Sequence, residues 1–174
     1  MTAHTSKEFD QELRTLRERL ATMGERAARQ IALAMKALAD KDDDLARDVV
    51  KNDAQIDRDE NDIDELALQI LATRQPVASD LRFITMSLKF VVDLERIGDL
   101  AGGIAKRALE LNRLPSLEPR VDLAKLAALV QRNLQAALDS FVGRDAERAT
   151  AVITAVARSA SRATKLSSAA CRFL

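Results

Sequence analysis

The chain has 174 residues, and its 27 basic and 27 acidic side chains give it a formal net charge of zero. That balance, and the absence of Trp and Tyr, argue against a nucleic-acid-binding protein, which needs clustered positive charge and aromatic faces for stacking. Apolar residues make up 47% of the chain while glycine and proline are few, as is typical of long amphipathic helices.

The sequence contains no segment that would direct it to or through a membrane. Residues 1–10 are polar and lack the apolar stretch of a signal peptide. No apolar run approaches the roughly 18 residues that a membrane-spanning helix needs. We therefore expect a cytoplasmic protein.

The first predicted helix carries a single apolar stripe with spacings of three and four residues. The stripe consists of Phe9, Leu13, Leu16, Leu20, Met23 and Ala27. This period is typical of a helix packed in a bundle. The helix is expected to end at three consecutive Asp residues, 42–44, which suit a turn and the N-cap of the next helix.

Two further helices are predicted before residue 113. Helix 2 runs from about residue 45 to 73, with a thin apolar seam of Val49, Ile56, Ile63 and Ile70. Pro76 interrupts the pattern, and we expect it in the first turn of helix 3. Helix 3 begins its apolar stripe with Val77, Leu81, Ile84, Leu88 and Val91, and ends near Asn112. Three such helices with short connections predict an antiparallel three-helix bundle over residues 8–113.

The second half of the chain indicates a partial copy of this bundle. Helix 4 is predicted from about residue 121 to 142, with Gly143 ending it and Asp145 capping a fifth helix. A shift of 103 positions places Lys41 and Asp42 on Arg144 and Asp145. This likeness indicates a weak internal repeat, although any two helix-turn-helix junctions share such features. The predicted fold is therefore all-α, with an incomplete second bundle over residues 119–174.

The C-terminal segment departs from the rest of the chain. Glu147 is the last acidic residue, and the apolar periodicity fades from about residue 156. A frayed basic helix end and a break in the reading frame or gene near Val156 both remain open as explanations. Because an incomplete bundle leaves apolar side chains uncovered, we expect oligomerisation or poor solubility. The side chains concerned are Leu126, Val130 and Leu134.

Carboxylates on helices 2 and 3 are the main candidates for chemistry. Helix 2 carries a single file of four, at spacings of four and three residues: Asp53, Asp57, Glu60 and Asp64. Alone, this file is typical of a solvated helix face. Helix 3, however, continues its apolar stripe into Glu95 and Asp99, at a similar distance from the turn at residues 74–76. Opposed acidic pairs repel unless cations lie between them, so we predict a metal site with oxygen ligands.

Other active-site chemistry finds little support. The only histidine is His4, which excludes a ferritin-type di-iron site, and zinc is not favoured over iron, manganese or magnesium. Cys171 has no base partner, and as the only cysteine it excludes an internal disulfide. Gly98 and Gly102 lie within a helix rather than in a phosphate-binding loop, and their spacing permits close approach of another backbone.

Three segments resemble the PhoU family of phosphate-uptake regulators. They are Asn52–Glu60 (NDAQIDRDE), Arg74–Arg82 (RQPVASDLR) and Asp93–Asp99 (DLERIGD). The resemblance covers residues 8–113 closely and extends loosely to about residue 153. It implies two tandem three-helix bundles that hold multinuclear metal clusters in some members. In this chain the implied ligands are Asp53, Asp57, Glu95 and Asp99, with Glu60 as a candidate addition.

The second half lacks a matching acidic helix. In the repeat register the acidic file falls on Val156, Ala160, Ala163 and Ser167. The family pattern therefore implies one metal site in this chain and half of a second bundle. Arg96 matches the family motif without an assigned role.

The resemblance also implies a function. It indicates a non-catalytic, homodimeric negative regulator of phosphate uptake that links a phosphate ABC transporter to a sensor histidine kinase and meets the membrane only through its partners. A metal-dependent phosphate-handling enzyme and a plain helical scaffold without metal remain as alternatives. The enzyme is disfavoured because no His, Cys or Tyr lies between residues 5 and 170 to transfer a proton or act as a nucleophile.

Overall fold

The protein is described by a computed structural model that covers residues 2–115 and 122–170, with side chains for residues 7–115 and 122–158. Over this range the chain forms five α-helices and no strand. They are α1 (Thr2–Asp40), α2 (Asp43–Arg74), α3 (Ala78–Leu111), α4 (Leu123–Val142) and α5 (Ala146–Ala170). The all-α prediction is confirmed.

Helices α1, α2 and α3 pack against one another around a common apolar core. The predicted stripe of α1 is buried from Leu13 to Ala27, and only Phe9 at its outer end is half-buried. The thin seam of α2 is also buried along its whole length, with Val49 and Ile70 at its two ends. The apolar periods of these two helices therefore identified their core faces correctly.

The start of α3 differs from the prediction. Gln75 ends α2 in the left-handed region, with φ of 48°, and Val77 is the N-cap of α3. Pro76 thus precedes the helix instead of occupying its first turn. Val77 and Leu81 are 76% and 40% exposed, because they lie at the end of the bundle where the chain has just left the turn. The core residues of α3 begin with Phe83 and Ile84.

Arg74 closes this end of the bundle by joining α2 to α1. Its Nε and Nη2 atoms each donate to a different carboxylate oxygen of Glu12, both at 2.8 Å. Nη2 also donates to Glu8 at 3.2 Å. A two-pronged contact of this kind fixes orientation as well as distance. It holds the C-terminal end of α2 against the N-terminal part of α1.

The α1–α2 and α4–α5 junctions share their geometry. Lys41 and Arg144 occupy the same left-handed conformation, with φ of 56° and 55°. Asp42 and Asp145 each accept a hydrogen bond at 2.9 Å from the backbone N–H three residues later. Each also donates its own backbone N–H to the carbonyl five residues earlier, at 3.0 and 2.8 Å. The similarity found by shifting the sequence by 103 positions therefore extends to the geometry of the two turns. The division into domains 8–113 and 119–174 stays a prediction.

Helix α4 packs on α1 rather than standing apart from the bundle. Leu138 lies over Gly24 and is 2% exposed, while Leu134 is 9% exposed. The expectation that Leu134 is uncovered is therefore wrong, because α1 covers that side of α4. Leu126 and Val130 are 49% and 41% exposed, as expected from the sequence. Oligomerisation through them stays a prediction.

Some predictions fall outside the described residues. These are the side chain of His4, the loop at residues 116–121, the side chains beyond residue 158 (including Ala160, Ala163 and Ser167) and Cys171. Within the described part of the chain, none of the helices is both long and apolar enough to cross a bilayer.

Two glycine substitutions test the packing of α4 on α1. A Cβ at Gly24 would lie 2.2 to 2.9 Å from three side-chain carbons of Leu138. We expect Gly24→Ala to lower the free energy of unfolding, because overpacking costs about 1–3 kcal/mol and the gain in helix propensity is only about 0.5–1 kcal/mol.

The matched control is Gly103→Ala, since a Cβ there meets nothing within 4 Å. It should raise the free energy of unfolding by about 0.5–1 kcal/mol. Urea unfolding followed by circular dichroism measures both effects. Equal stabilisation by the two substitutions would contradict the packing of Leu138 on Gly24.

Candidate metal centre between α2 and α3

The five predicted ligands are distributed along the region where α2 faces α3. Asp53, Asp57 and Glu60 come from α2, and Glu95 and Asp99 come from α3. The charge of Asp99 raises the pKa of both Asp53 and Glu60. Glu95 shares a side-chain hydrogen bond with Asp99 and is also close enough to sense the charge of Asp57. Charges of the two helices therefore act on each other across this interface, with Asp53 lying against Gly102 and Glu95 close to the charges of Glu60 and Asp57.

Burial and mutual repulsion both act on these carboxylates. Burial is the largest cause of the raised pKa of Asp53, followed by the charges of Asp99 and Asp57, while Lys106 opposes the shift. The pKa of Glu95 is raised first by burial and then by Asp99, Glu60 and Asp57. The helices thus hold several negative charges close together, with Lys106 as a neighbouring cation.

The two spaced glycines of α3 make room for side chains of α2. A Cβ at Gly98 would lie 2.6 Å from Ile56 Cδ1, and a Cβ at Gly102 would lie 3.1 Å from Asp53 Oδ2. The sequence suggested that these glycines admit another backbone; instead they admit an apolar side chain and a carboxylate. Gly102 therefore lets Asp53 lie directly against α3.

Asp64 is a further carboxylate beside Glu60 that the predicted ligand set omitted. Its Oδ1 atom is buried and has no hydrogen-bond partner, and burial raises its pKa. Its charge is also the second-largest cause of the raised pKa of Glu60. The signal was present in the sequence, because Asp64 follows Glu60 at the same four-residue spacing.

Other charged residues of this region are used differently. Asp59 points to α1, where Arg26 Nε donates to its Oδ2 at 2.6 Å. Arg58 donates to the side chain of Gln55 rather than to the acidic file. Arg96 is exposed. The basic residues of α2 therefore leave the predicted ligands without a direct ion pair among the described side chains.

The donor chemistry fits a hard cation, while the side chains as placed are spread apart. All five donors are carboxylates, the ligands preferred by magnesium, manganese and similar ions. Within the described residues, however, no group of three or more acidic, His or Cys side chains is close enough to hold one ion. Binding would therefore require some carboxylates to rotate towards one another.

The sequence is similar to known accessory proteins of phosphate transport. It is 43% identical over 154 residues to the "Phosphate-specific transport system accessory protein PhoU homolog" of Pseudomonas aeruginosa, covering 87% of this chain and 63% of that protein. It is 36% identical over 149 residues to the accessory protein PhoU of Escherichia coli K12, covering 86% and 62%. The chain thus spans under two thirds of the length of these relatives.

Solved structures and a family model agree with these similarities. The crystal structure of PhoU from P. aeruginosa matches with a TM-score of 0.77 at 42% identity, covering 82% of this chain and 69% of that one. The phosphate transport system regulatory protein PhoU of Streptococcus pneumoniae matches with a TM-score of 0.75 at 30% identity, covering 83% and 68%. The PhoU domain model matches residues 20–108, which contain all five predicted ligands. The chain therefore belongs to the PhoU family.

Proposed function

We propose that this protein is a regulatory accessory protein of a phosphate-specific transport system, that it restrains phosphate uptake, and that it is not an enzyme. Membership of the PhoU family supports the proposal, as do the names of relatives from P. aeruginosa and E. coli. A regulator of this kind acts by contact with other proteins. This agrees with a site built from carboxylates alone, without the His, Cys or Tyr that commonly transfer protons.

We further propose that the acidic face binds a multinuclear metal cluster. This face is formed by carboxylates of α2 and α3 on the side where the two helices meet. One observation carries this proposal: carboxylates from two helices line one interface, where the charges of Asp57 and Asp99 add to burial in raising the pKa of Asp53, Glu60 and Glu95. A cation of iron, manganese, magnesium or zinc would offset this repulsion. The proposed ligands are Asp53, Asp57, Glu60, Glu95 and Asp99, and the buried oxygen of Asp64 makes it a candidate sixth.

The proposed partners are a phosphate ABC transporter and a sensor histidine kinase, with this protein as a cytoplasmic, homodimeric adaptor between them. The transporter is supported by the names of the relatives. The kinase and the dimer rest on the family resemblance. The exposed side chains of Leu126 and Val130 supply apolar surface that a dimer could bury.

Metal analysis tests the proposed site. We expect the purified, extensively dialysed protein to retain metal at a fixed stoichiometry, and Glu95→Ala/Asp99→Ala to lose it. The matched control is Asp62→Ala/Glu65→Ala, which removes two exposed carboxylates from α2 and should keep the metal. Elemental analysis by mass spectrometry provides the measurement. If the unaltered protein carries no metal and gains no thermal stability from added ions, the metal-free scaffold is favoured.

The raised pKa values predict how the stability of metal-free protein depends on pH. Four carboxyl groups have a raised pKa in the folded protein: Asp53, Glu60, Asp64 and Glu95. At a pH between the unfolded and the folded pKa of such a group, the folded protein therefore binds more protons than the unfolded chain does. The free energy of unfolding should therefore increase as the pH falls from neutral towards the unfolded carboxylate pKa values of about 4.

Neutral variants and added metal provide the controls. Glu60→Gln/Glu95→Gln should flatten this dependence and stabilise the metal-free protein at neutral pH by about 1 kcal/mol, since each like-charge pair costs about 0.2–0.5 kcal/mol. With saturating metal, acidification should destabilise the protein because protons compete with the ion. Urea unfolding across the pH series measures these effects, and an unchanged slope in the double variant would contradict the proposed repulsion.

A phosphate-repressed reporter tests regulation in cells that lack their own PhoU. We expect expression of this chain to restore repression at high phosphate, and Glu95→Ala/Asp99→Ala to lose that ability at equal protein level. A full-length relative serves as the positive control. Repression by that relative, but not by this chain, would argue against the proposed regulatory activity for this chain.

A further inference from the structure

A groove of about 560 Å³ lies between α3 and α5, with α4 as its floor. Both walls are helices, but among the described residues α3 and α5 do not pack on each other. The volume falls within the range of about 300–1,000 Å³ that is typical of binding clefts. The groove is far from the acidic face, since it involves the N-terminal part of α3 and the beginning of α5.

The surface of the groove is apolar and well supported. Phe141 of α4 stacks on Phe90 and on Phe83 of α3, with ring centroids 4.4 and 5.5 Å apart. On the two rims, Met86 is 44% exposed and Ile153 is 69% exposed. Aromatic rings packed on one another give a rigid floor, while the exposed rims offer apolar area that water covers poorly.

Positive charge is concentrated at the α3 side of the groove. The guanidinium carbons of Arg144 and Arg17 lie 4.8 and 5.1 Å from the ring centroid of Phe83. Arg144 Nη2 donates to Asp80 Oδ1 at 2.9 Å. Arg17 is half-buried and makes no ion pair among the described side chains, and the nearby charge of Arg144 adds to burial in lowering its pKa.

A third arginine completes this positive edge. Arg82 lines the groove and is exposed, and its side chain has no hydrogen bond or ion pair with the described residues. Asp145, an acidic residue of the lining, accepts a hydrogen bond from the backbone of Arg148 as the N-cap of α5. Two arginines, Arg82 and Arg144, therefore line the groove, and Arg144 is paired with Asp80.

We propose that this groove is a docking surface for an amphipathic helix of another protein, with apolar side chains on one face and carboxylates along its edge. Two parallel helical walls and a helical floor suit a fourth helix, as in helix-in-groove recognition. The apolar face would cover Met86, Phe141 and Ile153. The carboxylates would pair with Arg82, which lines the groove and has no hydrogen bond or ion pair with the described residues. This inference is independent of metal binding and of the phosphate-related function.

Two synthetic helical peptides of about 18 residues, or five turns, provide the test. Both carry Leu at i, i+3, i+4 and i+7 spacing, and they differ in having Glu or Lys at the flanking positions. We expect fluorescence anisotropy to show binding of the Glu peptide at least about tenfold tighter than of the Lys peptide, a difference of about 1.4 kcal/mol.

Variants locate the binding and separate it from folding. Ile153→Asp should abolish binding, whereas the control Leu68→Asp, at a 58% exposed site on α2, should leave it unchanged. Arg82→Glu should shift the preference towards the Lys peptide, which loss of folding cannot do. Circular dichroism verifies that each variant is folded.

Several outcomes would overturn the proposal. These are failure of both peptides to bind, equal binding of the two, and binding that survives Ile153→Asp. Analytical sedimentation can give a further outcome that would overturn the proposal. If the unaltered chain is a dimer that Ile153→Asp converts to monomer, the groove is occupied by a second copy of this chain and the proposal of a different partner is wrong.

Discussion

The packing of α2 on α3 is the constraint on which the candidate metal centre depends. The two helices share a core through residues such as Ile56 and Leu94, and a fully buried side chain of this kind contributes about 1.5–3 kcal/mol. A like-charge pair on a helix costs only about 0.2–0.5 kcal/mol. Apolar burial therefore outweighs the repulsion and keeps Asp53, Glu60 and Glu95 close together. The carboxylates are held by the core beneath them rather than by their own interactions.

Much of this arrangement could be predicted from the sequence. The apolar residues of α2 that recur every seven positions identified its buried face. The carboxylates, which are offset from these residues, had to lie beside that face. The similar distances of Asp53 and Glu95 from the α2–α3 turn predicted that the acidic pairs of the two helices face each other, because antiparallel helices rise at the same rate per residue. The register itself could not be predicted in this way: Asp53 lies against Gly102, while the charges that act on Glu95 are those of Asp99, Glu60 and Asp57.

Other features depend on which neighbour lies opposite, and a single sequence does not contain that information. Leu134 and Leu126 belong to the same predicted stripe, yet α1 covers the first and leaves the second exposed. The roles of Gly98 and Gly102 also required the facing side chains of α2 to be known. The same holds for the groove, since its phenylalanines come from two helices and its arginines from α3 and the α4–α5 turn.

Helix α3 takes part in both proposed binding surfaces, which have opposite charge. Glu95 belongs to the acidic face and Arg82 to the groove, and the separation of 13 positions corresponds to about 20 Å of helix. The intervening segment is anchored in the core by Val91 and Leu94. A single rigid element thus carries a site suited to cations and a separate surface suited to an acidic partner.

The two glycines of α3 that face α2 also fix the alignment of these helices along their length. Gly98 accepts the hydrocarbon tip of Ile56, whereas Gly102 accepts the carboxylate of Asp53, so the two recesses are not interchangeable. Sliding α3 by one turn, about 5.4 Å, would bring Ile56 opposite a residue that has a side chain or opposite the recess that suits Asp53. The two glycines therefore determine which carboxylates of α2 and α3 lie opposite each other along the helix axes.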